Sequence, residues 1–123
     1  MTKGLLSLSL LALTASGALA DEIRVLNWQG YGTDLGWSLE AFEAATGHSV
    51  VHEYFNSEQE MLTKMRTNPG AYDVVLINAA YTTQAYEEGL LAAIDTAAIG
   101  NYAGIPANFA EDPSLVHEGA VYG

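Results

Sequence analysis

The sequence has 123 residues, with fifteen acidic side chains against four basic ones, a formal charge of −11 and no cysteine. A chain this acidic repels nucleic acid and anionic lipid, and without cysteine it has no disulfide framework to replace a buried core. Half of its residues are apolar, enough for one small domain and too few for two.

The first element in chain order is a leader. Lys3 gives a short positive start, Gly4 to Ala15 an apolar stretch interrupted by small hydroxyl residues, and Ala18-Leu19-Ala20 a small-x-small pattern before Asp21. These are the three parts of a secretory signal peptide, so export and cleavage after Ala20 are expected. A membrane anchor is the alternative, but the run is shorter than the roughly 20 strongly apolar residues of a span, and Ser7, Ser9, Thr14 and Ser16 dilute it. The mature chain, residues 21–123, keeps Arg24, Lys64 and Arg66 against all fifteen acids, a formal charge of −12 (three minus fifteen). That charge either keeps the protein soluble or draws small cations over about one Debye length. Position 21 is Asp21, not the cysteine a lipoprotein anchor needs, so a soluble periplasmic protein without membrane insertion is expected.

Strand and helix signals then alternate three times. Ile23 to Asn27 predicts a first strand, and Leu35, Leu39 and Phe42 recur at helical spacing until Gly47, with Thr33 or Asp34 as the cap. Val50 to Phe55 is rich in β-branched and aromatic residues, as a second strand requires. Ser57-Glu58-Gln59-Glu60 has the form of a capping box, opening a helix that turns Met61, Leu62 and Met65 inward and ends at Asn68-Pro69-Gly70. Asp73 to Asn78 is an apolar run without alternation, predicting a central parallel strand covered by helices on both faces. Thr82 or Thr83 then starts a short helix ended by Gly89, and from Asp95 onward loops and brief helical turns are expected. The fold class is therefore α/β, an open and mostly parallel sheet.

Ligands of such sheets bind beyond the carboxyl ends of the strands, where strand order reverses. Asn27-Trp28-Gln29-Gly30-Tyr31-Gly32 follows strand one and Asn78-Ala79-Ala80-Tyr81-Thr82 follows strand three. The two turns become neighbours if strand one lies between strands two and three. Trp28 either plugs the end of the sheet or offers a flat face to a planar or cationic ligand, and Tyr31 and Tyr81 are read in the same two ways. Trp37 falls off the Leu35–Leu39–Phe42 face, so it covers a neighbouring loop or faces the same rim. His48 and His52 flank a β segment without a third ligand and are expected to have packing or surface roles. Glu87 and Glu88 are expected to be solvated, and Asp73 to hold a neighbouring backbone amide. No nucleophile elbow or phosphate-cradling glycine loop is present. Neither an enzyme nor a cofactor is expected.

Several pieces in order resemble the amino-terminal part of a polyamine (spermidine/putrescine) periplasmic substrate-binding protein of an ABC importer. They are Val25-Leu26-Asn27-Trp28-Gln29-Gly30-Tyr31, Phe42-Glu43-Ala44-Ala45-Thr46-Gly47, Asn56-Ser57-Glu58-Gln59-Glu60-Met61-Leu62, Gly70-Ala71-Tyr72-Asp73-Val74-Val75, Glu88-Gly89-Leu90-Leu91 and Ile94-Asp95. The resemblance implies two α/β lobes with ligand between them, of which residues 21–123 would be an incomplete first lobe. It also implies a small cationic solute, an inner-membrane ABC permease as partner and a monomer. By position it assigns ligand contact to Trp28 and Tyr31 after strand one and to Asn78 after strand three, with Tyr81 standing in for an aromatic that aligns nearer Ala80; Gln29, between the two aromatics, is expected to contact ligand as well. Gly30 occupies a place where some members have an acid, and Tyr31 to Phe42 is slightly longer than usual. Two or three aromatic contacts supply roughly 1 to 6 kcal/mol, whereas micromolar affinity needs about 8, so acids of the opposite lobe are implied as well. The alternatives are a binding protein for another small organic solute, an exported enzyme on the same scaffold, or a truncated fragment without function.

Overall fold

The computed structural model describes residues 21–123. The leader reading, on residues 1–20, lies outside the described residues. Strand β1 (Glu22–Asn27) leads to helix α1 (Gly36–Thr46), β2 (Ser49–Tyr54), α2 (Glu58–Thr67), β3 (Val74–Val75) and α3 (Ala79–Glu87). The three strands form a parallel sheet in the order β2-β1-β3, with Val25 opposite both His52 and Val74, and Leu26 opposite Glu53 and Val75. Strand one is thus central, as the neighbouring turns required.

Side chains alternate along a strand, and parallel partners in register share a face. Leu26 therefore shares its face with Val75 and packs in one cluster with Phe55, Met61, Leu62, Met65 and Ala85. The capping box is what aims α2 at that face. The Ser57 hydroxyl accepts from Glu60 N at 3.2 Å, while the Glu60 carboxylate reaches one residue beyond the expected partner, to Asn56 N at 2.9 Å. Met61, Leu62 and Met65 are all buried, matching the sequence reading. Burying such side chains contributes about 1.5–3 kcal/mol each, so this face carries most of the apolar stabilisation.

The other face is less covered than the sequence predicted. Val25 is 8% exposed, but Val74 on the same face is 52% exposed, and α1 has no buried residue. β3 is an edge strand of this sheet, and its ladder is two residues long where six were expected. An apolar run looks the same in a central strand and at an edge, because burial depends on neighbours and not on the run itself. Trp37, at 73% exposure, covers no loop.

Both helix starts predicted from hydroxyl residues also shift. The N-cap of α1 is Leu35, without a side-chain cap, because Thr33 and Asp34 turn back toward the sheet. α3 begins three residues early, capped by Asn78, whose Oδ1 accepts from Ala80 N at 3.0 Å; Thr82 is fully buried inside it. The expected stop of α1 is found, with Gly47 at φ 76° donating to Glu43 O. Asp73 takes the expected backbone amide, accepting from Arg24 N at 2.8 Å.

Beyond α3 come two 3₁₀ turns (Thr96–Ala98 and Tyr102–Gly104) and α4 (Ala107–Ala110), as expected. An antiparallel hairpin follows that the sequence did not signal, β4 (Val116–His117) and β5 (Ala120–Val121). It docks on α3 through Tyr86, which stacks on His117 at 4.3 Å and meets Tyr122 edge-on at 4.7 Å.

Glu88 is not simply solvated. Its two oxygens accept from Arg66 Nε at 2.5 Å and Nη2 at 2.6 Å, tying α3 to α2. Arg66, followed by Gln84, holds the carboxyl down at about 2, against an ordinary 4.5. The folded value lies below the unfolded one, so the pair contributes stability above about pH 4.5 and loses it as pH falls toward 2. Both partners are partly exposed, which keeps the contribution small. Glu88→Gln is expected to flatten the dependence of Tm on pH across that acid window; an unchanged slope would remove the pair from the acid response.

Candidate ligand-binding site

The strand order brings the two candidate turns to one rim. β1 ends at Asn27 and β3 runs beside it, with Leu76 N donating to Leu26 O at 2.9 Å, so the turns leave adjacent strands at the same end. Trp28 and Tyr81 both pack, half-buried, against the core cluster that contains Leu26 and Phe55. Trp28 meets Phe55 edge-on, with centroids 4.8 Å apart and planes at 63°. It therefore plugs the sheet end while keeping part of its ring at the surface, and the two sequence readings are not exclusive.

Tyr31 differs, because it is 68% exposed at the tip of the turn. Its amide donates to Trp28 O at 3.3 Å, and Gly30 and Gly32 on either side have φ of 76° and 103°. Only glycine adopts those values readily, and the price is a turn with much backbone freedom to lose. Gln29 is exposed beside them. Asn78 has its Oδ1 engaged by the α3 cap, so its Nδ2 is the group left for a ligand. The Tyr81 hydroxyl accepts from Gln59 Nε2 at 3.3 Å, adding the start of α2 to the same rim.

The sequence reading missed the polar ties behind the first turn. Asn27, fully buried, donates through Nδ2 to Thr33 Oγ1 at 2.6 Å, and Thr33 Oγ1 lies 3.2 Å from His52 Nε2. Asp34 Oδ2 accepts from Gly30 N at 2.7 Å. The Gly30 amide, then Tyr54 and the nearby His52, draw the Asp34 carboxyl below its ordinary value against the opposing pull of burial. His52 and Tyr54 stack, 6.1 Å apart and 11° from parallel, at the end of β2. An acid four residues past a turn glycine was the available signal, and it was read as a helix cap.

The charge balance of the described residues favours a cation over an anion. Arg24 pairs with Glu22 at 2.9 Å, Lys64 with Glu53 at 2.9 Å and Glu60 at 3.4 Å, and Arg66 with Glu88. Lys64, followed by the Tyr72 hydroxyl, holds the Glu53 carboxyl below its ordinary value. Every Lys and Arg of the described residues is thus neutralised, and most of the acids remain without a basic partner. Among the described residues no group of three or more His, Asp or Glu is arranged to hold a metal ion. No helix there is long and apolar enough to cross a membrane.

A cavity of about 420 Å³ lies elsewhere, beside the open edge of β3, between Val74 and Val75 on one side and Leu90, Ile94 and Tyr122 on the other. Its Asn68–Gly70 wall enters β3 at the end opposite the rim. It is therefore not part of the candidate site.

An open parallel sheet ordered β2-β1-β3 puts the aromatic and amide side chains of the turns after its strands at the end where open α/β sheets hold ligands. Comparison with known proteins gives the class of protein. The chain is similar to the spermidine/putrescine-binding periplasmic protein of Escherichia coli K12, 30% identical over 121 residues that cover 95% of this chain and 32% of the relative. It is also similar to the putrescine/cadaverine-binding protein of Pseudomonas aeruginosa, 27% identical over 101 residues, covering 82% of this chain and 28% of the relative. No protein-family model matches the sequence. Among solved structures, the spermidine/putrescine ABC transporter substrate-binding protein PotD from Streptococcus pneumoniae superposes with a TM-score of 0.72 at 23% identity, over 81% of this chain and 30% of that one. A spermidine/putrescine ABC transporter candidate from Listeria monocytogenes superposes with a TM-score of 0.68 at 23% identity, over 78% and 29%. The fold is therefore that of part of an ABC-transporter substrate-binding protein, and the chain spans about a third of the length of the curated relatives it matches.

Proposed function

We propose that the chain is the first-lobe portion of a periplasmic solute-binding protein that captures putrescine- or spermidine-like polyamines for an inner-membrane ABC permease. The observation that carries this reading is the shared rim, where Trp28 and Tyr31 from one turn and Asn78 and Tyr81 from the other come together on an acidic chain whose described lysine and arginines are all paired. Aromatic faces attract ammonium groups, and the exposed ring of Tyr31 is open to one. Residues 1–20 act as the leader and are removed after Ala20. Residues 21–123 form an incomplete first lobe, and a second lobe supplies carboxylates as the two close on the ligand. The protein acts as a monomer and as a carrier, not an enzyme.

Gly30, in a place where some members of the resembling family have an acid, favours a second reading in which the solute is a different small amine. Calorimetric titration of the protein expressed from its own gene with putrescine, cadaverine and spermidine separates the two. One-to-one binding of at least one of them at micromolar affinity or better, about 8 kcal/mol, is expected. Absence of heat with all three would reject polyamine capture, and a response to other amines alone would favour the second reading.

A further inference from the structure

We infer that Asp34 is a positioning residue for the proposed solute site: by accepting from the Gly30 amide, its carboxylate fixes the turn that presents Trp28 and Tyr31. The inference rests on the solute-binding reading of that rim and adds a residue to it.

The turn needs an anchor that packing does not give. Gly30 and Gly32 both have positive φ, and a side-chain carbon built on either would meet nothing within 4 Å, so no neighbour wedges the backbone in place. The backbone bonds spanning the turn are long, 3.3 Å from Tyr31 N to Trp28 O and 3.5 Å from Leu35 N to Gly32 O. By contrast, Gly30 N to Asp34 Oδ2 is 2.7 Å, the short distance of a bond to a charged acceptor. A second tie runs beside it from Asn27 through Thr33 to His52.

Asp34 acts through the turn and not by contact with solute. Its Oδ1 is shielded from solvent, and Oδ2 is already occupied by Gly30. An ammonium group at Tyr31 therefore meets an aromatic ring whose position Asp34 has set in advance. Ordering the turn before binding removes that entropy from the binding step, the general advantage of preorganisation.

The test is a double-mutant cycle on the protein expressed from its own gene, read by putrescine calorimetry, with Tm recorded for each variant. Asp34→Ala is expected to weaken binding about 10-fold, and Asp34→Asn less than about 3-fold, because the amide oxygen still accepts from Gly30 N. In a Tyr31→Ala background, Asp34→Ala should add less than about 2-fold, since the ring it positions is gone. Additive losses, unchanged affinity in Asp34→Ala, or Asp34→Asn as weak as Asp34→Ala would each overturn the inference. Should Asp34→Ala fail to fold, Asp34→Ser, whose shorter side chain loses the Gly30 bond, takes its place in the cycle, with the same losses expected and the same outcomes overturning it. If the unmodified protein binds neither putrescine, cadaverine nor spermidine, the polyamine reading itself has failed and the inference falls with it. Binding by the unmodified protein with no coupling rejects the role of Asp34 alone.

Discussion

Truncation of Phe55 to alanine is expected to destabilise the protein by about 3–5 kcal/mol, the range for a large aromatic removed from a packed core. Phe55 is 1% exposed and belongs to the cluster formed by Leu26, Met61, Leu62, Met65 and Ala85. It is also the ring against which Trp28 rests edge-on. The cavity left by truncation has little chance to collapse, because Leu26 and Leu62 are fixed by a strand and a helix on either side. With total stabilities near 5–15 kcal/mol, such a loss is a large share of what holds a small domain together. Urea denaturation followed by circular dichroism measures it, and a loss under about 1 kcal/mol would mean that the cluster is not the main apolar core.

Replacing Trp28 by alanine is expected to lower putrescine affinity about 10- to 30-fold, at the upper end of what one cation–aromatic contact contributes. Stability should fall too, because the ring is part of the sheet end as well as the rim. Tyr31→Ala separates the two effects. Its ring is 68% exposed and packs on no other aromatic, so affinity should drop about 3- to 10-fold with Tm unchanged. Affinity unchanged from the unmodified protein in both variants, measured by calorimetry at a temperature where each is folded, would move the solute away from this turn. Trp37 is the internal control. At 73% exposure it lies outside the core cluster, and Trp37→Phe should leave Tm near its starting value while removing its fluorescence from the Trp28 signal.

These two side chains show how far local sequence reading reaches into a site. A tryptophan and a tyrosine in a glycine-flanked turn are visible as candidates from the chain alone, because strand ends and turn residues are local signals. Whether Trp28 serves the core or the ligand could not be read, since the deciding neighbour, Phe55, lies 27 positions away across the sheet. Asp34 shows the opposite failure. Its proximity to a helix start suggested a cap, and the carboxylate instead accepts from Gly30 N, four residues back in the turn.

Legible in the chain alone were the succession of strands and helices, the stop of α1 at Gly47 and the buried face of α2. All of these depend on residues within a turn or two of each other, or on the periodicity of one element. Tertiary structure alone decided that β1 lies between β2 and β3, that Val74 is left half-exposed on the edge, and that Arg66 captures Glu88. It also brought the Asp73 carboxylate to Arg24 N, 49 positions away, and Thr33 to His52 on β2. Each of these is a meeting of distant segments, whose outcome is set by strand order and the face a helix covers, and no local pattern encodes that meeting.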